Sequence, residues 1–245
     1  MLPGKPTKLT CPYCGKPKYI KSLLSGNTFG ERMWSDTKRD YPMWRSTSPV
    51  QRCPHCGKYY FHEDSNPLNY GSVKDFQKAK WLFPEMAGFD VKLTVDKDRE
   101  RKRMEEIERE AFENGFGELS FEEMDEAFKA LYPTAVEDRK RTLLLMWLIS
   151  YNDVFGGRQQ KPGPECPEDV VERHLYVIDE LCQRLTDRLV LAELHREAGR
   201  FEECLKIIGD PIEDNPFLEH AVRQQIIAKA KQGETVVFEL NTSLR

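Results

Sequence analysis

Two copies of one short pattern, CPYCG at residues 11–15 and CPHCG at residues 53–57, constrain this chain more than any other feature. A C-x-x-C turn delivers two thiolates from one tight knuckle. The glycine after the second cysteine supplies the positive φ that such a turn favours, and the proline fixes the chain at the start. Two knuckles together offer four soft ligands, the set a tetrahedral zinc ion takes. Cys11, Cys14, Cys53 and Cys56 are therefore predicted to hold one structural Zn2+ and to close residues 1–66 into a zinc ribbon. The alternative is a pair of separate redox C-x-x-C motifs. The 38 residues between Cys14 and Cys53 exceed the roughly 15–20 usual between such pairs. Loop-closure entropy grows slowly with length, so the metal can tolerate the extra hairpin. His55 and His62 lie nearby but are not needed as ligands, and a site filled by four protein thiolates leaves no position for catalysis.

Charge is unevenly spread. Residues 1–62 hold eleven Lys/Arg and three Asp/Glu, a formal +8, which leaves −12 for the rest of a chain whose net charge is −4. Either the two parts attract each other or the basic one meets an anionic partner. Between the knuckles, Trp34 and Trp44 are interleaved with Arg32, Lys38, Arg39 and Arg45. Aromatic faces beside cations suit stacked bases and phosphates, so these residues are the candidate contacts for a nucleic acid. The plainer reading makes the aromatics core and the cations a solvated rim.

The ribbon reads as short strands, about 18–24, 28–34, 50–53 and 58–62, separated by Gly/Asn/Ser turns. After Pro67 the pattern turns helical. Helices are predicted over 72–83 and 98–112, the second with a stripe of Met104, Ile107, Ala111 and Phe112. Ser120 with Glu123 forms a capping-box pattern that opens a third to about Tyr132. A long helix over 135–155 follows, with Leu144, Trp147, Leu148 and Tyr151 on one face. Residues 156–169, rich in Gly and Pro, read as a linker. A helix over 167–185 is given the face Val171, Leu175, Ile178, Cys182 and Leu185; three more span 187–198, 201–208 and 216–231, and 235–240 is β-prone. The fold class is α+β: a small β-rich ribbon (1–66), a helical middle region (67–157) and a partly repeat-like helical region (158–245).

The segment LVLAELHREAGRFEECLKIIGDPIEDNP, residues 189–216, resembles a tetratricopeptide repeat. By that resemblance Leu191, Ala192 and His195 belong to the first helix, Gly199 to the turn, Phe201 and Cys204 to the second helix, and Pro216 to the close. His and Cys stand where the repeat expects Tyr and Ala, and Pro211 shortens the second helix. An N-terminal CPxCG ribbon joined to such helices also resembles a group of bacterial zinc-ribbon proteins. That resemblance implies a cytoplasmic location and a role in protein interaction or regulation; it supplies no reaction and no catalytic residues.

Seven cysteines, four of them in knuckles, with no apolar run after the first lysines, agree with a reducing compartment. No membrane role is expected, the most apolar stretch (143–149) being too short to span a bilayer. Cys166, Cys182 and Cys204 with His174, His195 and His220 form a conceivable second site, but Cys182 and Cys204 read as packing residues. No phosphate loop, H-E-x-x-H or G-x-S-x-G is present. The sequence thus points to a non-enzymatic adaptor with a protein partner and no small-molecule substrate; the alternative is a nucleic-acid-binding regulator using the basic aromatic hairpin.

Overall fold

A computed structural model describes residues 2–27, 29–41, 47–65, 68–69, 93–158, 164–209 and 218–241. The strands are β1 (Leu2–Pro3), β2 (Thr7–Thr10), β3 (Pro17–Ile20), β4 (Leu23–Ser25), β5 (Arg32–Met33), β6 (Arg39–Asp40), β7 (Val50–Arg52), β8 (Tyr59–Phe61) and β9 (Leu68–Asn69). The helices are α1 (Leu93–Asn114), α2 (Phe121–Leu131), α3 (Glu137–Val154), α4 (Glu168–Arg184), α5 (Arg188–Glu197), α6 (Phe201–Gly209) and α7 (Leu218–Lys231). The class is α+β, with small antiparallel strand pairs followed by helices. Among the described residues no helix is long and apolar enough to cross a membrane. The predicted helix over 72–83, together with Trp44, Arg45 and Pro216, lies outside the described residues.

The chain forms two compact units. The first comprises Met1–Thr28 and Met43–Leu119, the second Phe29–Pro42 and Ser120–Arg245. The middle of the segment between the knuckles, Phe29–Pro42, therefore belongs with the C-terminal helices and not with the ribbon that flanks it in sequence.

In the first unit, β2 pairs with β3 and β9, and β7 pairs with β8, all antiparallel. Leu9, Ile20, Val50 and Tyr60 are at most 1% exposed and fill the small core. Helix α1 packs on β3: Glu110 accepts from the Tyr19 amide at 3.1 Å, and the Asn114 side chain donates to the Tyr19 carbonyl at 2.8 Å. Of the predicted α1 stripe, Ile107 and Ala111 are buried beside Tyr19, whereas Phe112 is 72% exposed with Lys21 above its ring. The stripe is thus narrower than its apolar residues suggest, because one strand gives it little width to cover.

In the second unit the capping box opens α2: the Ser120 hydroxyl accepts from the Glu123 amide, and Glu123 accepts in return from the Ser120 amide. Leu143, Leu144, Trp147 and Leu148 of α3 are buried, and the Trp147 indole donates to Asp125 at 2.8 Å. Helix α4 departs from expectation. Its buried face is Val170, His174, Val177, Ile178 and Leu181, while Val171 and Leu175 are 39% and 38% exposed. The face is rotated about one position because His174 takes a core slot, stacked on Tyr151 at 4.0 Å. Asp187 caps α5 by accepting from the Leu189 and Val190 amides. Gly199, with φ of 72°, makes the turn to α6, and Ala192, Cys204, Ile208, Ile226 and Ala230 form one buried cluster.

The start of the expected linker is not a linker. Arg158 is 8% exposed and ion-paired to Asp36 and Asp153, and the Gly156 carbonyl accepts from Val237. The β-prone tail pairs with the inter-knuckle hairpin: Trp34 bridges Glu239, Ser35 donates to the Phe238 carbonyl, and Leu240 donates to that of Met33.

Candidate metal centre

The two knuckles are built alike. Strands β2 and β3 flank the first, β7 and β8 the second. In each, the first cysteine amide donates across the hairpin, Cys11 to Lys16 at 3.0 Å and Cys53 to Lys58 at 2.9 Å. In each, the closing glycine amide donates back to the first cysteine carbonyl at 2.9 Å. Gly15 and Gly57 stand at φ of 69° and 72°, a conformation that carries strain for any residue with a Cβ.

These turns bring Cys11, Cys14, Cys53 and Cys56 together, their sulfurs all within 4.8 Å of one another. The cross-knuckle pairs, Cys11–Cys56 and Cys14–Cys53, are each 3.7 Å apart. A disulfide would need about 2.05 Å. A tetrahedron of thiolates at about 2.3 Å from a zinc ion has edges near 3.8 Å. The four sulfurs thus fit a zinc-type metal site, and they come from residues whose backbone already fixes them.

The surroundings favour metal-bound thiolate. Burial pushes the Cys11 thiol up to about 12, against the Cys14 and Tyr13 amides that point at it. Burial also opposes the Cys53 thiolate, yet the Cys56 and His55 amides bring that thiol down to about 7. Each knuckle therefore aims backbone N–H groups at its inner sulfur, and a dication would complete the compensation. Tyr60, 1% exposed, packs on Cys11 and Cys53. His55 Nε2 contacts the Pro17 carbonyl at 3.0 Å, which ties it to the first knuckle. Among the described residues no other group of three or more His, Cys, Asp or Glu side chains converges in this way, so the cysteines and histidines of the helical region do not assemble a second metal centre there. Cys204 is fully buried, and burial raises its thiol to about 11.

The residues singled out for nucleic acid are placed differently. Trp34 is 8% exposed; its indole donates to Asp40 at 2.9 Å and its ring lies under the Arg158 guanidinium. Lys38 is paired with Asp153 at 2.7 Å, Arg39 with Glu31 at 3.2 Å, and Arg32 approaches Asp40 at 3.9 Å. Phe29–Pro42 contains three basic and three acidic residues, so the segment balances its own charge. This arrangement does not favour nucleic-acid binding through the hairpin. The positive excess sits on the ribbon proper, where residues 1–28 and 43–62 carry eight Lys/Arg and no acid.

Sequence reading missed a second group of polar residues. Asp36, Asn152, Arg158, Glu193, Arg196 and Glu197 are all under 9% exposed. Asn152 donates to Asp36 and to Glu197, each at 3.0 Å, and Arg196 pairs with Glu193 at 2.5 Å. The i, i+3 spacing of Glu193 and Arg196 was the one available signal, and it is equally common on solvated faces. Comparison of the chain with protein-family models, curated proteins and solved structures finds no match.

Proposed function

We propose that the chain is a non-enzymatic, zinc-dependent adaptor, in which one structural Zn2+ holds the ribbon and the helical unit receives a protein partner in the cytoplasm. The observation that carries the adaptor reading is the outer face of α4, where Val171, Leu175 and Tyr176 are 39%, 38% and 44% exposed. Val171 and Leu175 are one turn apart on one helix face, left outward because His174 faces in, with Tyr176 beside them against Tyr132; such a strip suits a partner's apolar segment. The α5–α6 pair, packed through Ala192 and Cys204, supports a repeat-like helical scaffold. Four thiolates complete a tetrahedron, which supports a structural rather than catalytic ion.

The test uses the full-length chain cross-linked in its host cells. A partner protein should be recovered with the wild type and lost with Leu175→Glu and Tyr176→Glu, while the circular dichroism spectrum is unchanged. Recovery that ignores both substitutions would remove α4 as the docking face. Metal analysis should give about one zinc per chain, and a folded, zinc-free protein would reject the structural ion.

A further inference from the structure

The outer side of α4 carries charge as well as apolar surface, and the charge has one sign. Residues 165–180 hold six Asp/Glu and one Arg, with no Lys. That arginine, Arg173, turns to Asp125 at 2.7 Å and Asp169 at 3.7 Å. Asp179 and Glu180 are met by Arg200 and Arg184. Glu165, Glu168 and Glu172 are exposed, and among the described residues none of the three has an ion-pair partner. Acids in a first turn favour the helix dipole, which accounts for Glu168. Glu172 lies past that turn, where the benefit has faded.

Helical geometry sets these groups in two rows. Val171 and Leu175 are one turn apart, as are Glu168 and Glu172. Each acid is three residues from its apolar neighbour, so the rows lie side by side. The acidic row runs into an open hollow of about 590 Å³, bordered by Glu165, Pro167, Glu168 and Val171. The apolar row edges a smaller one of about 240 Å³, to which Phe155, Val171, Leu175 and Val236 give apolar walls. Val171 is the ridge between the two.

We propose that the segment received by α4 is a basic amphipathic helix of a partner protein. Two Lys or Arg one turn apart face Glu168 and Glu172, and two apolar side chains one turn apart lie against Val171 and Leu175. The apolar pair covers the mouth of the smaller hollow, and a further cation reaches Glu165 across the larger one. Exposed ion pairs contribute little each, so the apolar row supplies most of the affinity. The acidic row selects the partner: a basic segment is drawn in, and an acidic one is repelled. This rests on α4 as the docking face and adds the chemistry of what docks there.

A display library of random peptides, each about sixteen residues or four to five helical turns long, panned on the whole zinc-loaded chain decides it. Recovered peptides should be enriched in Lys/Arg at i, i+4 beside apolar residues at i, i+4. Their binding, followed by fluorescence anisotropy, should weaken several-fold from about 50 mM to about 500 mM salt. Glu165→Lys with Glu172→Lys, which spares the first turn of α4, should weaken it at least about tenfold. The circular dichroism spectrum and zinc content of that variant should match the wild type. Peptides without a basic bias, with apolar residues alternating at i, i+2, or with binding that ignores the charge reversal overturn the basic helix. If such binding is lost with Leu175→Ser, the docking face itself stands. Binding that ignores Leu175→Ser as well removes the face and the proposal together. No enrichment also overturns the proposal, and self-association in sedimentation that Leu175→Ser abolishes then assigns the face to a second copy.

Discussion

In the ribbon, buried acceptors converge on one point: Cys11 and Cys53 are 2% and 1% exposed, and four sulfurs share a space 4.8 Å across. In the helical unit, three buried acids are each answered by an arginine: Glu193 by Arg196, Asp36 by Arg158, Asp125 by Arg173 at 2.7 Å. A small β unit cannot bury enough apolar surface to hold itself, and a metal supplies the deficit in a single step. The helical unit has a core of Trp147, Leu144, Ile178 and Leu181, so its ion pairs select an arrangement more than they create stability. Loss of the ion should therefore be all-or-none for one unit, and loss of a pair graded for the other.

The largest expected effect tests the first half of that contrast. Cys53→Ser, or a strong chelator, should remove a contribution of about 10–16 kcal/mol and unfold the ribbon. Hydrogen exchange should show Val50 and Tyr60 amides unprotected while those of Leu144 and Ile178 stay slow. Equal loss in both units would break the comparison. Next comes Asp36→Ala, which leaves the Arg158 guanidinium, 5% exposed, with Asp153 as its remaining partner. The helical unit should lose about 3–5 kcal/mol in urea unfolding, with zinc content unchanged.

The smallest effect depends on pH. His174 is held at about 4 by burial, below the ordinary histidine value of 6.5. A depressed pKa means that the unfolded chain binds the proton more readily. The stabilisation is complete above pH 6.5 and is lost as pH falls toward 4, by up to about 3 kcal/mol. His174→Phe, which can keep the stack on Tyr151, should lack this step in the exchange of α4 amides.

What was legible in the sequence follows from how local each signal is. The knuckles could be read because ligands, proline and glycine all fall within five residues. The Ser120–Glu123 cap could be read for the same reason. The α4 face was misassigned because polarity was taken to mean exposure, while the packing places His174 inside and Val171 outside. The Asp36–Arg158–Asn152 group could not be read at all. Its members lie up to 122 residues apart, and Arg158 follows two glycines that suggest a loop. Trp34 and Lys38 looked like a binding surface for a related reason: their partners, Arg158, Asp153 and Glu239, belong to distant segments.

The inter-knuckle hairpin sets an order of events as the chain leaves the ribosome. Its flanking cysteines can meet once the chain has emerged through β8, since the four ligands and the hairpins that carry them need nothing of the C-terminal helices. The hairpin must wait: Asp153 lies 115 residues beyond its partner Lys38, and Phe238 lies 203 beyond Ser35. Until then Trp34 has no cover, looped out between two knuckles that are already able to close. The interval is a window in which a chaperone or a second nascent chain could occupy the same edge, and its length is written into the position of the insertion.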